Sequence, residues 1–352
     1  MKFRFVVKEI VGSGSGELMR LIQDLAEITA PFPNAVITIG NFDGVHIGHQ
    51  ALFYEVIERA HAVQGTSIAM TFEPHPLRVL KSGQAPPLIT LFEQKAELIE
   101  RSGIDVLICI PFTRRFAAMT AREFVRDILA GKIGMKVIVL GEDYAFGRNR
   151  EGNVALLEQM APELGFEVVV TTLVRTVRGI PQRISSTAVR ELVQAGEMQQ
   201  VCKMLGRNFQ LRGTVVPGRD RGGKLLGYPT ANLEVQNELR PKTGIYAVTV
   251  ETRFGHHLGV ANIGYSPTFA DHEYTVEVHI LDFHESLYGE KIRVNFVKRL
   301  RGEEKFPSLD ALKRQIAADI EEARRILTVG ALGACAVETG DFGEQASTGR
   351  FR

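Results

Sequence analysis

Cysteine is scarce: Cys109, Cys202 and Cys335 are all there are in 352 residues, an odd number in no metal-ligand spacing. That excludes a disulfide framework and a thiolate metal ribbon, and it predicts buried or idle thiols in a reducing compartment. Net charge is scarce too, because 42 Lys and Arg against 41 Asp and Glu leave +1, with the signs mixed along the chain. Such a balance advertises no nucleic-acid surface. No apolar run reaches the ~18 residues a spanning helix needs, so no membrane partner is expected. The opening MKFRFVVKEI has neither the apolar core nor the cleavage site of a secretion signal, and a cytoplasmic protein is expected.

What is present is globular. Hydrophobic residues at 45% and charged residues at 24%, over this length, predict two domains. In the first half, short β-branched runs (AVITIG at 35–40, SIAMTF at 67–72, DVLICI at 105–110, KVIVLG at 136–141, FEVVVT at 166–171) alternate with helical spacing at 49–63, 90–103 and 120–131. That rhythm predicts an α/β domain with a parallel sheet wrapped by helices, whose ligands lie beyond the carboxyl ends of the strands.

After LGRNF (205–209) the rhythm becomes strands and turns: FQLRGTVVPG, TGIYAVTVET, HLGVANIG, YTVEVHILDF and KIRVNFVKRLRG. An antiparallel barrel or sandwich is expected. A helix at 308–327 opens on Ser308 as N-cap, with Leu309, Leu312, Ile316 and Ile320 on one face. The small, polar, Gly-rich remainder, 329–352, reads as a disordered tail.

GNFDGVHIGH (40–49) sits where a strand runs into a helix. A glycine-bearing turn at a helix N-terminus gathers unpaired N–H groups and the positive dipole end, which suits a phosphate. His46 and His49, three apart, share a helix face, so capping, phosphate contact and a metal pair are all open; no third ligand in a familiar spacing accompanies them. Downstream, RISSTAVR (183–190) offers Ser185, Ser186 and Thr187 at a helix start, with Arg183 and Arg190 able to reach phosphate oxygens. Alone, such a cap is as readily structural.

The order strand, GNFDGVHIGH, helix resembles the HxGH signature of the nucleotidyltransferases, in which both imidazoles donate to ATP phosphates. A class I aminoacyl-tRNA synthetase would need a lysine-rich loop downstream, which is missing. With TFEPHP (71–76), GEDYAFG (141–147), the 116–125 segment and RISSTAVR, the chain resembles the bacterial bifunctional riboflavin kinase/FAD synthetase family over residues 15–330. Ala145 departs from the basic residue frequent there.

GRDRGGKL (218–225) matches a P-loop GxxxxGK but lacks the Ser or Thr that must follow the lysine. GTVVPGRDRGGKLLGYPTANLEV (213–235) instead resembles the riboflavin kinase module, a six-stranded barrel with a PTAN motif after a glycine-rich loop. The resemblance implies Mg2+ on Thr230 and Asn232, phosphates wrapped by a loop that includes Gly218 and Gly227, and Glu277 as catalytic base at the barrel's mouth. Lys224 stands where an arginine is frequent.

Together these imply residues 15–205 as an FMN adenylyltransferase with a Rossmann-like sheet, residues 206–328 as a riboflavin kinase barrel, and a tail at 329–352. Riboflavin and ATP would give FMN, and FMN with a second ATP would give FAD and pyrophosphate. His46 and His49 would be catalytic in the second reaction, with Asn41, Asp43, Arg183, Ser186, Thr187 and Arg190 binding substrate. The alternatives are a nucleotidyltransferase acting on another phosphorylated acceptor, such as phosphopantetheine or glycerol phosphate, and a non-enzymatic oligonucleotide-binding barrel.

Overall fold

A computed structural model describes residues 18–81, 83–171, 183–218, 227–266 and 273–330. Residues 1–17, the loop glycines and Lys224 at 222–224, and residues 331–352, Cys335 among them, lie outside the described residues. The chain divides into two compact units, 1–175 and 176–352.

In the first unit, β1 (Arg20–Ile22), β2 (Ala35–Ile39), β3 (Ser67–Glu73), β4 (Val106–Pro111), β5 (Met135–Gly141) and β6 (Glu167–Thr171) form one parallel sheet in the order β1-β4-β3-β2-β5-β6. In β2 to β5 side chains on both faces are buried, which is why those runs are apolar rather than alternating. Ile37, Ile68, Met70 and Ile138 belong to one core layer, with Phe124 and Leu129. Val36, Ala69, Leu107 and Val139 belong to the other, with Phe53 and Val56 of helix α1 (Ile47–Ala62). Further helices are α2 (Pro76–Leu80), α3 (Phe92–Arg101) and α4 (Val154–Leu164). The segment after Thr120 forms a single turn and then a π-helix over Phe124–Ile133, in place of one α-helix.

The strand order reverses at β2, which has β3 on one side and β5 on the other. The crevice beyond the ends of β2 and β5 is therefore the switch point at which such sheets take ligands. GNFDGVHIGH leaves β2 there, and GEDYAFG leaves β5.

In the second unit, α5 (Ser186–Ala195) and α6 (Met198–Leu205) precede a closed antiparallel barrel of order β10-β11-β8-β7-β12-β9. Its strands are β7 (Phe209–Val216), β8 (Ala231–Val235), β9 (Gly244–Thr252), β10 (Gly255–Ser266), β11 (Glu273–Ile280) and β12 (Lys291–Arg301). Closure removes the edges that an open sheet would expose. The period-2 pattern of β7, buried at Phe209, Leu211, Gly213 and Val215, sends alternate side chains inward. Helix α7 (Leu309–Gly330) lies along the barrel, with Ala323 and Leu327 packed on Ala247 and Val297. Ser308 accepts from Ala311 N at 3.2 Å, as an N-cap does.

Candidate functional site

The turn between β2 and α1 is strained in a directed way. Phe42, Gly44 and Val45 have φ of 48°, 83° and 40°, a left-handed conformation that a β-branched valine rarely adopts. Phe42 and Val45 are nonetheless buried, and a Cβ on Gly40 would lie 2.7 Å from the Phe42 ring. Asp43 closes the turn from beneath. Its carboxylate accepts from Ile89 N at 3.0 Å, Thr90 N at 3.2 Å and Thr90 Oγ1 at 3.3 Å, while Gly44 N donates to Thr90 Oγ1 at 3.2 Å. Asn41 stands exposed at the start of the turn.

His46 is the N-cap of α1, and its Nδ1 accepts from His49 N at 3.3 Å. An accepting Nδ1 leaves the proton of a neutral imidazole on Nε2, so His46 presents a donor there. The His46 and His49 rings stack at 3.5 Å between centroids, 16° from parallel. Two imidazoles thus share the end of a four-turn helix whose first amides and dipole favour an anion. His75 repeats the device on α2, where Nδ1 accepts from Leu77 N at 3.2 Å. Among the described residues, no three His, Cys, Asp or Glu side chains converge as metal ligands.

RISSTAVR falls in the second unit. Ser185 caps α5 by accepting from Ala188 N at 3.2 Å, which leaves Ser186 and Thr187 as its first residues. Arg183 and Thr187 are exposed and Arg190 is buried.

The second cluster lies on the barrel wall. Antiparallel register places Glu277 of β11 directly opposite Asn232 of β8 on one side and Asn262 of β10 on the other. Facing residues in register point the same way, so the carboxylate stands between two carboxamides. Val276, Val278 and Ile280 are buried on the opposite side of the strand. This corrects one expectation: Glu277 is not at the barrel's mouth. It lines a pocket of about 620 Å³ between the outer wall and α7, because the barrel interior is already filled with side chains.

Thr230, Asn262, His279 and Tyr228 share that pocket with Phe306, Leu312 and Ile316. His279 Nδ1 donates to Pro229 O at 2.7 Å, tying the PTAN segment to β11. Burial raises the Glu277 carboxyl above its ordinary pKa. A Cβ on Gly218 would lie 2.2 Å from Asn232 Nδ2, so only glycine lets the loop's backbone pass this close to the PTAN asparagine. Gly227, φ 82°, marks where the loop returns. The floor is an ion pair, Arg301 to Asp319 at 2.7 Å, with Arg301 also over the Phe306 ring at 5.5 Å.

Sequence reasoning did not single out Asn262 or the Arg301–Asp319 pair. Both depend on pairing across strands or between strand and helix, which no single run displays.

The FAD synthetase family model matches residues 29–188, and the riboflavin kinase family model matches residues 205–327. A protein of Escherichia coli strain K12 named bifunctional riboflavin kinase/FMN adenylyltransferase is 40% identical over 309 residues, 88% of this chain and 97% of that one. One of the same name from Haemophilus influenzae is 34% identical over 307 residues, 87% and 98% of the two chains. A crystal structure titled as a macrolide-efflux protein from Streptococcus pneumoniae superposes with TM-score 0.77 at 32% identity, covering 87% of this chain and 99% of that one. No helix among the described residues here is long and apolar enough to cross a membrane.

Proposed function

The chain belongs to the bifunctional riboflavin kinase/FMN adenylyltransferase family, so it converts riboflavin to FMN and FMN to FAD, and we propose that the two reactions run at the two sites just described. The working division is 15–205 for adenylylation and 206–328 for phosphorylation, with 329–352 as a tail. Two family models that meet between residues 188 and 205 support it. A nucleotidyltransferase for another acceptor, or an oligonucleotide-binding barrel, is not favoured, because both flavin modules are matched in one chain.

In the kinase, the isoalloxazine ring lies in the pocket between barrel wall and α7, whose apolar side chains come from Phe306, Leu312 and Ile316. Glu277 takes the proton from the terminal ribityl hydroxyl as that oxygen attacks the γ-phosphorus of ATP, and ADP leaves. Desolvation suits the carboxylate to this work by increasing its basicity. Asn232 and Asn262 flank it on the two neighbouring strands. The backbone at Gly218 and Gly227 wraps the phosphates. Thr230 and Asn232 supply hard oxygen donors of the kind Mg2+ takes, and bound there the ion would offset charge on the transferring phosphoryl group.

In the adenylyltransferase, the FMN phosphate attacks the α-phosphorus of a second ATP and pyrophosphate leaves. A phosphate monoester needs no base, so the site's work is alignment and charge stabilisation. His46 and His49 donate to the phosphates at the end of α1. Asn41 and Asp43 shape the turn, while Arg183, Ser186, Thr187 and Arg190 belong to the nucleotide-binding set. We also place the protein in the cytoplasm.

The observation that carries the assignment is the row Asn232, Glu277, Asn262 across three strands of the barrel wall, in which Glu277 and Asn262 line the pocket. Chromatography of flavins over time tests it. Riboflavin, ATP and magnesium should yield FMN and then FAD. His49→Ala should stop at FMN, and Glu277→Ala should make FAD only when given FMN. A Glu277→Ala protein that still phosphorylates riboflavin at the normal rate would remove the base from this position.

A further inference from the structure

Lys95 of α3 is only 7% exposed, more deeply buried than any other lysine among the described residues. Its ammonium donates to Asn41 O at 3.3 Å and to Thr71 Oγ1 at 3.2 Å, and the Thr71 hydroxyl donates to the same Asn41 oxygen at 3.2 Å. The ring of Phe92, on the same helix, lies 5.8 Å away. Burial pulls the lysine's pKa below its usual range, opposed by Cys109 on β4, Glu73 on β3 and Asp43 in the turn.

Burying an ammonium is expensive, and a leucine or methionine would fill a helix face more cheaply. What the lysine secures is the carbonyl that opens the strained turn. The same short segment closes the turn's far side, where the Ile89 and Thr90 amides hold Asp43. Residues 89–95 therefore grip the turn at both ends, at Asn41 and at Asp43, around the left-handed Phe42. Strain of this kind persists only where its surroundings over-determine it.

We propose that Lys95 is a positioning residue for FMN adenylylation: by holding the Asn41 carbonyl it fixes the turn that aims His46 and His49. The inference rests on the reading that adenylylation runs at that turn. Lys95 touches the turn's backbone and acts through it.

The test uses the full chain, with riboflavin phosphorylation as an internal control for folded protein. Lys95→Met keeps the length and removes the donor. FMN adenylylation kcat should fall on the order of 100-fold, the scale of a misplaced catalytic group, while phosphorylation stays within twofold. Amide exchange should quicken over 40–49 with β2 and β3 still protected. Lys95→Gln, shorter but still a donor, should lie between, and it decides the matter by the same two measures if the methionine variant does not fold. Undiminished adenylylation in Lys95→Met overturns the proposal. So does exchange quickened throughout 35–111, which is what a general packing role would produce. His49→Ala is run alongside: if that variant adenylylates normally, the site reading fails, whereas a dead His49→Ala beside an active Lys95→Met condemns the lysine's role alone.

Discussion

A carboxylate beside a strained turn can serve a ligand, the chain itself or both, and the bonds described for Asp43 are to the chain. Its two oxygens meet two backbone amides and a hydroxyl some 46 positions away. That partnership is invisible in GNFDGVHIGH, where the residue reads equally as a nucleotide or metal contact. Asp43→Ala would leave buried donors unpaired, at a cost of about 3 kcal/mol, and chemical unfolding should show a loss of that size together with weakened adenylylation. Glu277 makes the opposite use of burial. Its raised pKa means that kinase activity should fall with acid on a limb above the ~4.3 of an ordinary glutamate. Stability runs the other way, because the folded state binds this proton more tightly than the unfolded one. The contribution is full below the unfolded pKa and is lost as pH rises through the raised value. Glu277→Gln should therefore abolish phosphorylation, yet raise Tm relative to the parent more at pH 7 than at pH 4.

Among the elements, α7 joins the packing of the barrel to the pocket proposed for the flavin. Its first turns cover that barrel-wall pocket and its last turns pack on Ala247 and Val297. Asp319, near its middle, is held by Arg301 of β12 through Nε and Nη2, and the side chains of the pair are 16% and 8% exposed. Breaking a mostly buried pair strands a charge, so Asp319→Ala should cost about 3 kcal/mol in the barrel unit. Riboflavin KM should rise while FMN adenylylation is unaffected, which steady-state assays of the two reactions would separate. The apolar face of α7 and its Ser308 cap were legible from spacing alone. The strands named from β-branched runs also appear as strands, since both-face burial demands such runs. Two were not readable: β1 is three residues of mixed polarity, and β8 begins inside PTAN, a sequence that reads as a turn. Only pairing with neighbours makes either a strand. The same holds for the site, where HxGH announces itself locally but Asn262 acquires meaning only through its register with Glu277.

Across the whole molecule, the change of rhythm near residue 206 marks a change of architecture, from a parallel sheet to a closed antiparallel barrel. The two compact units divide earlier, at 175, because α6 packs on barrel strands β7 and β12. The residues proposed for adenylylation therefore occur on both units, His46 and His49 on the first and Ser186 and Thr187 on the second, while every residue lining the pocket proposed for the flavin belongs to the second. This distribution separates the ligands. Riboflavin at about 100 times its Kd should stabilise the unit that binds it by about 2.7 kcal/mol. Amide exchange should slow in β8, β10, β11 and the first turns of α7, and should leave β2 and the 40–49 turn unchanged. ATP, which both reactions consume, should when supplied with magnesium protect the 40–49 turn as well as the residues around Asn232. Protection of the turn by riboflavin alone would show that the flavin's first binding site is not the barrel wall, and would move Glu277 out of the kinase reaction.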